Sequence, residues 1–168
     1  MVKLGDLFHF EKGSLQSTKN DDTGEYEFIT ASDERKRHIE YTHDTEALIY
    51  AVGAGGSLGK SQYANGKFIA SSLTTILTVK DNPKYPINIK FYNYMLNSIR
   101  TQIVDDLASG TSKLTLNPNE LKNYYVEYIE LNKQNEFVEK FFEEEIRIKN
   151  EINQFEKNIA KSMEKILS

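Results

Sequence analysis

A glycine-rich run from Ala54 to Ser61, A-G-G-S-L-G-K-S, is the segment of this chain best suited to bind a phosphate group. It nearly matches a nucleotide-binding phosphate loop, in which backbone N–H groups and a lysine hold phosphates where a strand leads into a helix. The apolar residues 47–52 supply the strand. The helix is not predicted, because Asn65-Gly66 favours a β-hairpin turn soon afterwards. We therefore expect the glycines to turn the backbone, and a small NTPase that uses Lys60 is kept as an alternative.

Other catalytic or metal-binding constellations are not found. The chain has no cysteine, which excludes a thiol nucleophile, a disulfide and a cysteine-based zinc site. His9, His38 and His43 lack the spacing of metal ligands on one helix face, and we expect His38 and His43 in a polar loop. No run approaches the roughly 18 apolar residues that span a bilayer. We predict a soluble intracellular protein that is not an enzyme, has no cofactor or metal of its own and does not contact a membrane.

Basic and polar side chains form small clusters, although the chain as a whole is acidic, with a net charge of −4. We expect these clusters at the ends of strands and helices, on loops. Lysine and arginine neutralise nucleic-acid phosphates, whereas small polar side chains can read base edges. A solvated surface would explain any single cluster more economically. The candidates for DNA-backbone contact are Lys12, Arg35, Lys36, Arg37, Lys60, Lys67 and Lys113, and those for base reading are Gln62, Ser72 and Thr111.

The first part of the chain, residues 1–129, is predicted to be a target-recognition domain of the α+β class with a twisted sheet of short strands. Strands are indicated at residues 7–10, 26–30, 47–52, 73–79 and 124–128 by short apolar runs. Apolar residues recur at steps of three and four from Ile89 to Leu107, which predicts one helix. Asn117-Pro118 predicts the start of a short capped helix.

The last part, residues 130–168, is predicted to be one helix, because it contains no glycine or proline and its apolar residues repeat in heptads. A helix of this size is about 55 Å long. No second long helix is predicted to cover its apolar face, so we expect an antiparallel coiled coil with a partner helix; a helix folded back on its own domain is the alternative. Glu145 and Ser162 interrupt the heptads, whose apolar members are Val138, Phe141, Ile148, Ile152, Phe155, Ile159 and Ile166.

In order and spacing, four motifs make the whole chain resemble the specificity subunits of type I restriction-modification systems. They are Leu4-Gly5-Asp6-Leu7 with Lys12-Gly13, the run from Gly53 to Lys60, Ser109-Gly110-Thr111-Ser112-Lys113-Leu114, and Leu131 with Gln134 at the start of the long helix. The proline pair that this family commonly has before the helix is missing.

The resemblance implies a non-catalytic subunit that binds a bipartite duplex DNA target in the prokaryotic cytoplasm. It would position a methyltransferase (M) subunit and a restriction (R) subunit, and these partners would bind AdoMet, ATP and Mg²⁺. Such subunits usually have two recognition domains and two helices, so this chain would be a half-size subunit that forms a homodimer, or half of a longer chain. The alternative from another class is a protein-interaction adaptor that acts through its long helix.

Overall fold

A computed structural model describes all of residues 1–168 and contains two sheets and five helices. The strands are β1 (Val2–Lys3), β2 (Phe8–Lys12), β3 (Tyr26–Ile29), β4 (Arg35–His38), β5 (His43–Ala51), β6 (Ser61–Ala70), β7 (Thr74–Val79) and β8 (Tyr125–Val126). The helices are α1 (Leu4–Leu7), α2 (Ile89–Ser98), α3 (Arg100–Leu107), α4 (Pro118–Lys122) and α5 (Leu131–Leu167). This architecture confirms the predicted α+β domain followed by a long helix. None of the helices has the length and apolar character that crossing a membrane requires.

The larger sheet has six strands in the order β2-β7-β5-β6-β3-β4. Its neighbours are antiparallel except for the parallel pair β3 and β6. The apolar run in β5 is buried throughout because both faces of the sheet are covered. Leu48 and Tyr50 pack into the core beneath α2 and α3, whereas Ile49 belongs to a smaller cluster with Phe68 on the other face.

The prediction of a hairpin turn at Asn65-Gly66 is wrong. These residues lie inside the uninterrupted strand β6, where they pair with Glu46 and Thr45 of β5. Gly66 has a φ of 105°, a conformation that residues with side chains rarely adopt. The local preference for a turn is outweighed here by a long antiparallel partner, along which β6 pairs from Ser61 to Phe68.

Two further predicted elements differ in length from those in the structure. The helix expected from Ile89 to Leu107 breaks into α2 and α3 at Ile99, whose backbone (φ −100°, ψ 13°) departs from the helical region. The break follows Ser98, whose hydroxyl donates to the Met95 carbonyl, a local side-chain bond that favours bends in helices. The strand expected over residues 124–128 shrinks to β8, since its partner β1 offers only two residues. His38 and His43 lie on β4 and β5 and not in one polar loop.

The capped helix predicted at Asn117 is confirmed. The Asn117 side chain accepts a hydrogen bond from the Asn119 N–H at 2.9 Å, and Pro118 occupies the first turn of α4, where its missing N–H costs nothing. Asn88 caps α2 in the same way, accepting from the Lys90 N–H at 3.1 Å. Both helices therefore begin where an asparagine satisfies an otherwise unpaired backbone donor.

Helix α5 is docked on its own domain only at its N-terminal end. Val138 is 8% exposed, and the Phe137 ring meets the Phe91 ring edge-on with centroids 5.5 Å apart. The apolar residues beyond this segment are exposed, including Phe155 at 66% and Ile166 at 75%. The helix thus lies along its domain over roughly its first half and projects from it over the rest.

Gln134 links the helix to the domain through a buried side-chain amide. Its Oε1 accepts from the Asn88 N–H at 2.7 Å, and its Nε2 donates to the Ile129 carbonyl at 2.6 Å. The Gln134 side chain is fully buried, so its amide has no water as an alternative partner. The adjacent Asn135 Oδ1 accepts from Asn88 Nδ2 at 3.0 Å and strengthens the same junction.

Replacing Gln134 by leucine is expected to lower the free energy of unfolding by about 2 kcal/mol, because the partly buried Asn88 N–H and Ile129 carbonyl lose their hydrogen-bond partner. Denaturant unfolding followed by circular dichroism measures the change. The matched control is Asn132→Leu, the same kind of change at an exposed position two residues away. Equal stability of the two variants would contradict the assigned role of the Gln134 amide.

Candidate nucleic-acid interface

A groove of about 870 Å³ lies between the β6-β3-β4 half of the sheet and the helices α2 and α5. The sheet supplies one wall, α2 and the first residue of α3 the floor, and the first half of α5 the other wall. Most of its lining side chains are polar or charged. They are Asp33, Arg35, Lys60, Ser61, Gln62, Tyr63, Lys90, Asn93, Tyr94, Asn97, Arg100, Phe142, Glu145, Ile146 and Lys149.

The groove is basic in a chain that is acidic overall. Five positive side chains line it against two carboxylates, whereas the whole chain has a net charge of −4. Lys60 is paired with Asp33 at 2.6 Å, and Lys149 with Glu145 at 2.8 Å. Arg35 is paired with Glu27, which lies outside the lining of the groove. The positive charge without a carboxylate partner therefore comes from Lys90 and Arg100, and a polyanion is the ligand that it attracts.

Lys90 is one of the groove cations without a carboxylate partner. Its Nζ lies 4.2 Å from the centroid of the Phe142 ring and 5.6 Å from that of Tyr63. The rings lie on α5 and β6, so this cation–π contact joins the two walls across the floor. The ammonium group keeps hydrogen-bond donors for an incoming anion, because ring faces occupy none of its N–H groups.

Arg100 closes the glycine-rich loop beside the groove. Its Nε donates to the Leu58 carbonyl at 2.7 Å, and its Nη2 donates to the Gly56 carbonyl at 2.5 Å. The loop contains one turn of 3₁₀ helix, Gly55–Ser57, and then enters β6 without a following helix. The geometry of a phosphate loop is absent, since the loop directs carbonyl oxygens at the Arg100 guanidinium and leads into a strand instead of a helix.

Gly59 explains why this loop needs glycine. Its φ is 79°, and a Cβ atom there would lie 2.9 Å from Val104 Cγ2. Both the backbone conformation and the close approach of α3 exclude a larger residue. The loop is thereby held against α3, with Lys60 at the rim of the groove.

Two asparagines of α2 hold the first residue of β6. Asn97 Oδ1 accepts from the Ser61 N–H and its Nδ2 donates to the Ser61 carbonyl, each at 2.9 Å, while the Ser61 hydroxyl donates to Asn93 Oδ1 at 2.7 Å. These bonds satisfy the Ser61 backbone on the side of β6 where β3 pairs only with Phe68, Ile69 and Ala70. They fix the floor of the groove relative to the sheet.

Gln62 and Arg35 are fully engaged within the sheet wall. Gln62 Nε2 donates to the Thr30 and Ser32 carbonyls at 2.9 Å, and its Oε1 accepts from Arg35 Nε at 3.2 Å. The Arg35 guanidinium also pairs with Glu27 at 2.8 Å. In this arrangement Gln62 positions the loop between β3 and β4.

Tyr94 and Glu145 connect the floor to α5. The Tyr94 hydroxyl donates to Glu145 Oε2 at 2.5 Å. Burial and this hydrogen bond raise the pKa of Tyr94. Burial alone would raise the pKa of Glu145, but hydrogen bonds from Lys149 and Tyr94 outweigh it and lower that pKa. Glu145 is therefore ionised near neutral pH, and the contact keeps α5 close to α2 at the groove wall.

The sequence-predicted DNA contacts are divided among several places. Arg35, Lys60 and Gln62 meet in the groove. Lys12 and Ser72 line a second cavity of about 420 Å³, which also receives Lys122 of α4. The remaining candidates lie outside both cavities and are Lys36, Arg37, Lys67, Thr111 and Lys113.

Three of these remaining candidates lie on strands, which corrects the expectation that the clusters occupy loops. Lys36 and Arg37 belong to the edge strand β4, where they donate to the Ser17 carbonyl at 2.9 Å and the Glu25 carbonyl at 3.0 Å. Lys67 of β6 lies over the Tyr41 ring at 5.1 Å. As expected, Thr111 and Lys113 are exposed on a loop. Contact with DNA stays a prediction for each of the ten residues.

Helix residues are the part of the groove that sequence reasoning missed. Lys90, Asn93, Asn97 and Arg100 follow one another at steps of three and four, so they share a face of the helical segment. That polar spacing was the available signal, but a polar helix face is ordinarily a solvated surface. Only the position of α5 and the sheet on either side shows that this face lines a groove.

Comparison with known proteins gives one family and a set of similar folds. The family model described as "Type I restriction modification DNA specificity domain" matches residues 1–160. No curated protein matches the sequence significantly.

Among solved structures, the type I restriction-modification S subunit from M. genitalium is similar over 89% of this chain and 39% of its own, at 22% identity and a TM-score of 0.73. The HsdS subunit from Thermoanaerobacter tengcongensis is similar over 89% and 38%, at 16% identity and a TM-score of 0.60. At these identities the likeness shows the fold. The chain spans about two fifths of the length of these structures.

Replacing Arg100 by leucine is expected to loosen the glycine-rich loop, because the carbonyls of Gly56 and Leu58 lose a charged donor. Amide hydrogen exchange over residues 53–60 should become about tenfold faster or more. Mass spectrometry of the exchanged protein measures it, and Thr101→Leu on the exposed side of α3 is the control. Unchanged exchange in the Arg100 variant would show that the loop does not depend on this guanidinium.

Proposed function

This chain belongs to the family of type I restriction-modification DNA specificity domains, and we propose that it binds its duplex DNA target along the groove between the sheet and helices α2 and α5. Specificity subunits of this family are not themselves catalytic; they select the DNA on which a complex acts. The observation that carries the proposal is the concentration of positive charge in this groove of an acidic chain. Local positive charge of this kind attracts the phosphate backbone.

Within the groove, the lysines suit contacts with phosphates. The Lys90 ammonium group lies over two aromatic rings and has no carboxylate partner. A phosphate would therefore be the first negatively charged group to pair with it. Lys60 would exchange Asp33, which is 80% exposed, for a phosphate at little cost. Bases would be read by side chains displayed around the rim, including the exposed loop at residues 109–115. Lys12 and Lys122 of the second cavity would extend the backbone contact.

The long helix gives this domain its partners. We propose that the exposed part of α5 pairs with a second copy of the chain and that the pair docks on a methyltransferase subunit, which recruits a restriction subunit. Two recognition domains held apart in this way would recognise a bipartite target. AdoMet, ATP and Mg²⁺ would bind to the partner subunits, and the complex would act in the prokaryotic cytoplasm.

Selection of duplexes from a random library by the chain together with its methyltransferase subunit tests this function. We expect the selected duplex to bind at least roughly tenfold more tightly than a scrambled one of equal length. Equal binding to both under the complete complex would overturn the proposal. Nucleotide binding that is lost in Lys60→Ala would instead favour an NTPase.

The groove itself is tested by Lys60→Gln and Lys90→Gln. Each variant should weaken DNA binding and lower the slope of log affinity against log salt concentration by about 1, because one phosphate contact is lost. Fluorescence anisotropy at several salt concentrations measures this. Lys157→Gln makes the same change on the exposed part of α5, away from the groove, and should leave the slope unchanged. Equal slopes in all three variants would place the DNA elsewhere on the domain.

A further inference from the structure

The projecting part of α5 has an apolar stripe that its own domain leaves uncovered. Ile148 is 44% exposed, Ile152 50% and Ile159 51%, although these residues repeat at the heptad spacing of a helix that packs on another helix. A contiguous apolar face of this kind is the mark of an interaction surface. Its length and the positions of the charges beside it decide which helix fits.

We infer that the stripe is covered by α5 of a second copy, antiparallel, in one register that packs Ile152 against Phe155 of the second copy. The two-fold axis then passes between Asn153 and Gln154. This inference rests on the homodimer of the proposed function and specifies how its helices meet.

The two interruptions of the heptads select this register. If Val138 occupies position a, then Glu145 is also at a and Ser162 is at d. In an antiparallel pair, each a residue faces a d residue of the other helix, because the order of positions is reversed. The inferred register places Glu145 opposite Ser162 of the second copy, so that a hydroxyl faces the carboxylate. Polar residues at core positions are a known means of fixing register.

The other layers of the inferred register are entirely apolar. Ile148 faces Ile159 of the second copy, and Phe141 faces Ile166. Phe141 is 41% exposed beside α2, so the domain leaves room for the end of the second helix. Val138 has no partner in this register, in agreement with its burial against its own domain.

The side chains flanking the stripe agree with the same register. Lys149 comes beside Glu156 of the second copy, and Glu144 beside Lys165. Each contact occurs twice by symmetry, giving four pairs of opposite charge. Phe142 comes beside Met163 of the second copy, so an apolar residue again meets an apolar one.

Neighbouring arrangements bring like charges together. A shift by one heptad toward the N-terminus places Lys149 beside Lys149 and Glu151 beside Glu151 of the second copy, and packs Glu145 against Phe155. A parallel pair would face Glu145 with Glu145 in the core and bring Glu151 beside Glu156. Charge complementarity therefore favours the inferred register over both.

Cysteine cross-linking tests the register, because the chain has no cysteine of its own. Ile148→Cys and Ile159→Cys are prepared separately with different tags, mixed and oxidised. We expect a disulfide between the two different chains, since the paired positions lie within bridging distance. Ile148→Cys mixed with Ile152→Cys is the control for the shifted register, in which those positions meet; in the inferred register they are about 10 Å apart along the axis and should not cross-link.

Charge reversal supplies a second readout that does not depend on oxidation. Glu156→Lys should raise the dimer dissociation constant roughly tenfold, because two ion pairs become two like-charge contacts. Adding Lys149→Glu in the same chain should restore part of the affinity, because it re-forms the pair between copies but breaks the pair of Lys149 with Glu145 within each chain. Glu164→Lys reverses a charge on the opposite side of the helix and should have little effect. Sedimentation equilibrium measures all four proteins.

The outcomes separate this inference from the function on which it rests. Cross-linking of Ile148→Cys with Ile152→Cys, or with itself, would overturn the register while leaving the homodimer in place. A chain that stays monomeric at all concentrations would overturn both the dimer and the register, without affecting DNA binding by the groove. A double charge variant no tighter than Glu156→Lys would also contradict the pairing of Lys149 with Glu156.

Discussion

The buried amide of Gln134 is the contact on which the rest of this molecule depends. It joins the backbone at the start of α2 to the backbone that leads into α5 through a fully buried side chain. The first half of α5 is thereby held against α2 and becomes a wall of the basic groove. The same contact sets the direction in which the remaining helix leaves the domain. One polar side chain thus governs both a binding surface within the chain and the geometry of any assembly built on the helix.

Charge is segregated in this protein on the scale of single elements. The groove has an excess of cations, whereas the projecting helix has both signs in helical ion pairs such as Arg147 with Glu151. A net charge close to neutrality or slightly negative limits indiscriminate attraction to DNA, and the local excess confines attraction to one surface. The average composition of such a chain says little about its ligand.

Sequence patterns predicted the elements whose signals are local or strictly periodic. The heptads of α5, the Asn117 cap of α4 and the apolar run of β5 each specify their structure within a few turns of chain. The hairpin predicted at Asn65-Gly66 was wrong because pairing with β5, a distant segment of the chain, decides the conformation of these residues. The sequence predicted part of the groove, namely Arg35 and Lys60, because these charged residues lie next to glycine or turn signals. It did not predict Lys90 and Arg100, which belong to a site only because the sheet and α5 lie beside α2.

The basic triplet Arg35-Lys36-Arg37 lies on β4, the outermost strand of the larger sheet. An edge strand has unpaired backbone N–H and C=O groups that can recruit a strand from another molecule. Three consecutive cations repel a second copy of the same edge, so the triplet also protects the protein from edge-to-edge aggregation. Neutralising the triplet would therefore lower the solubility of the protein as well as any affinity for DNA. A weaker DNA signal from such a variant would have to be distinguished from aggregation of the variant.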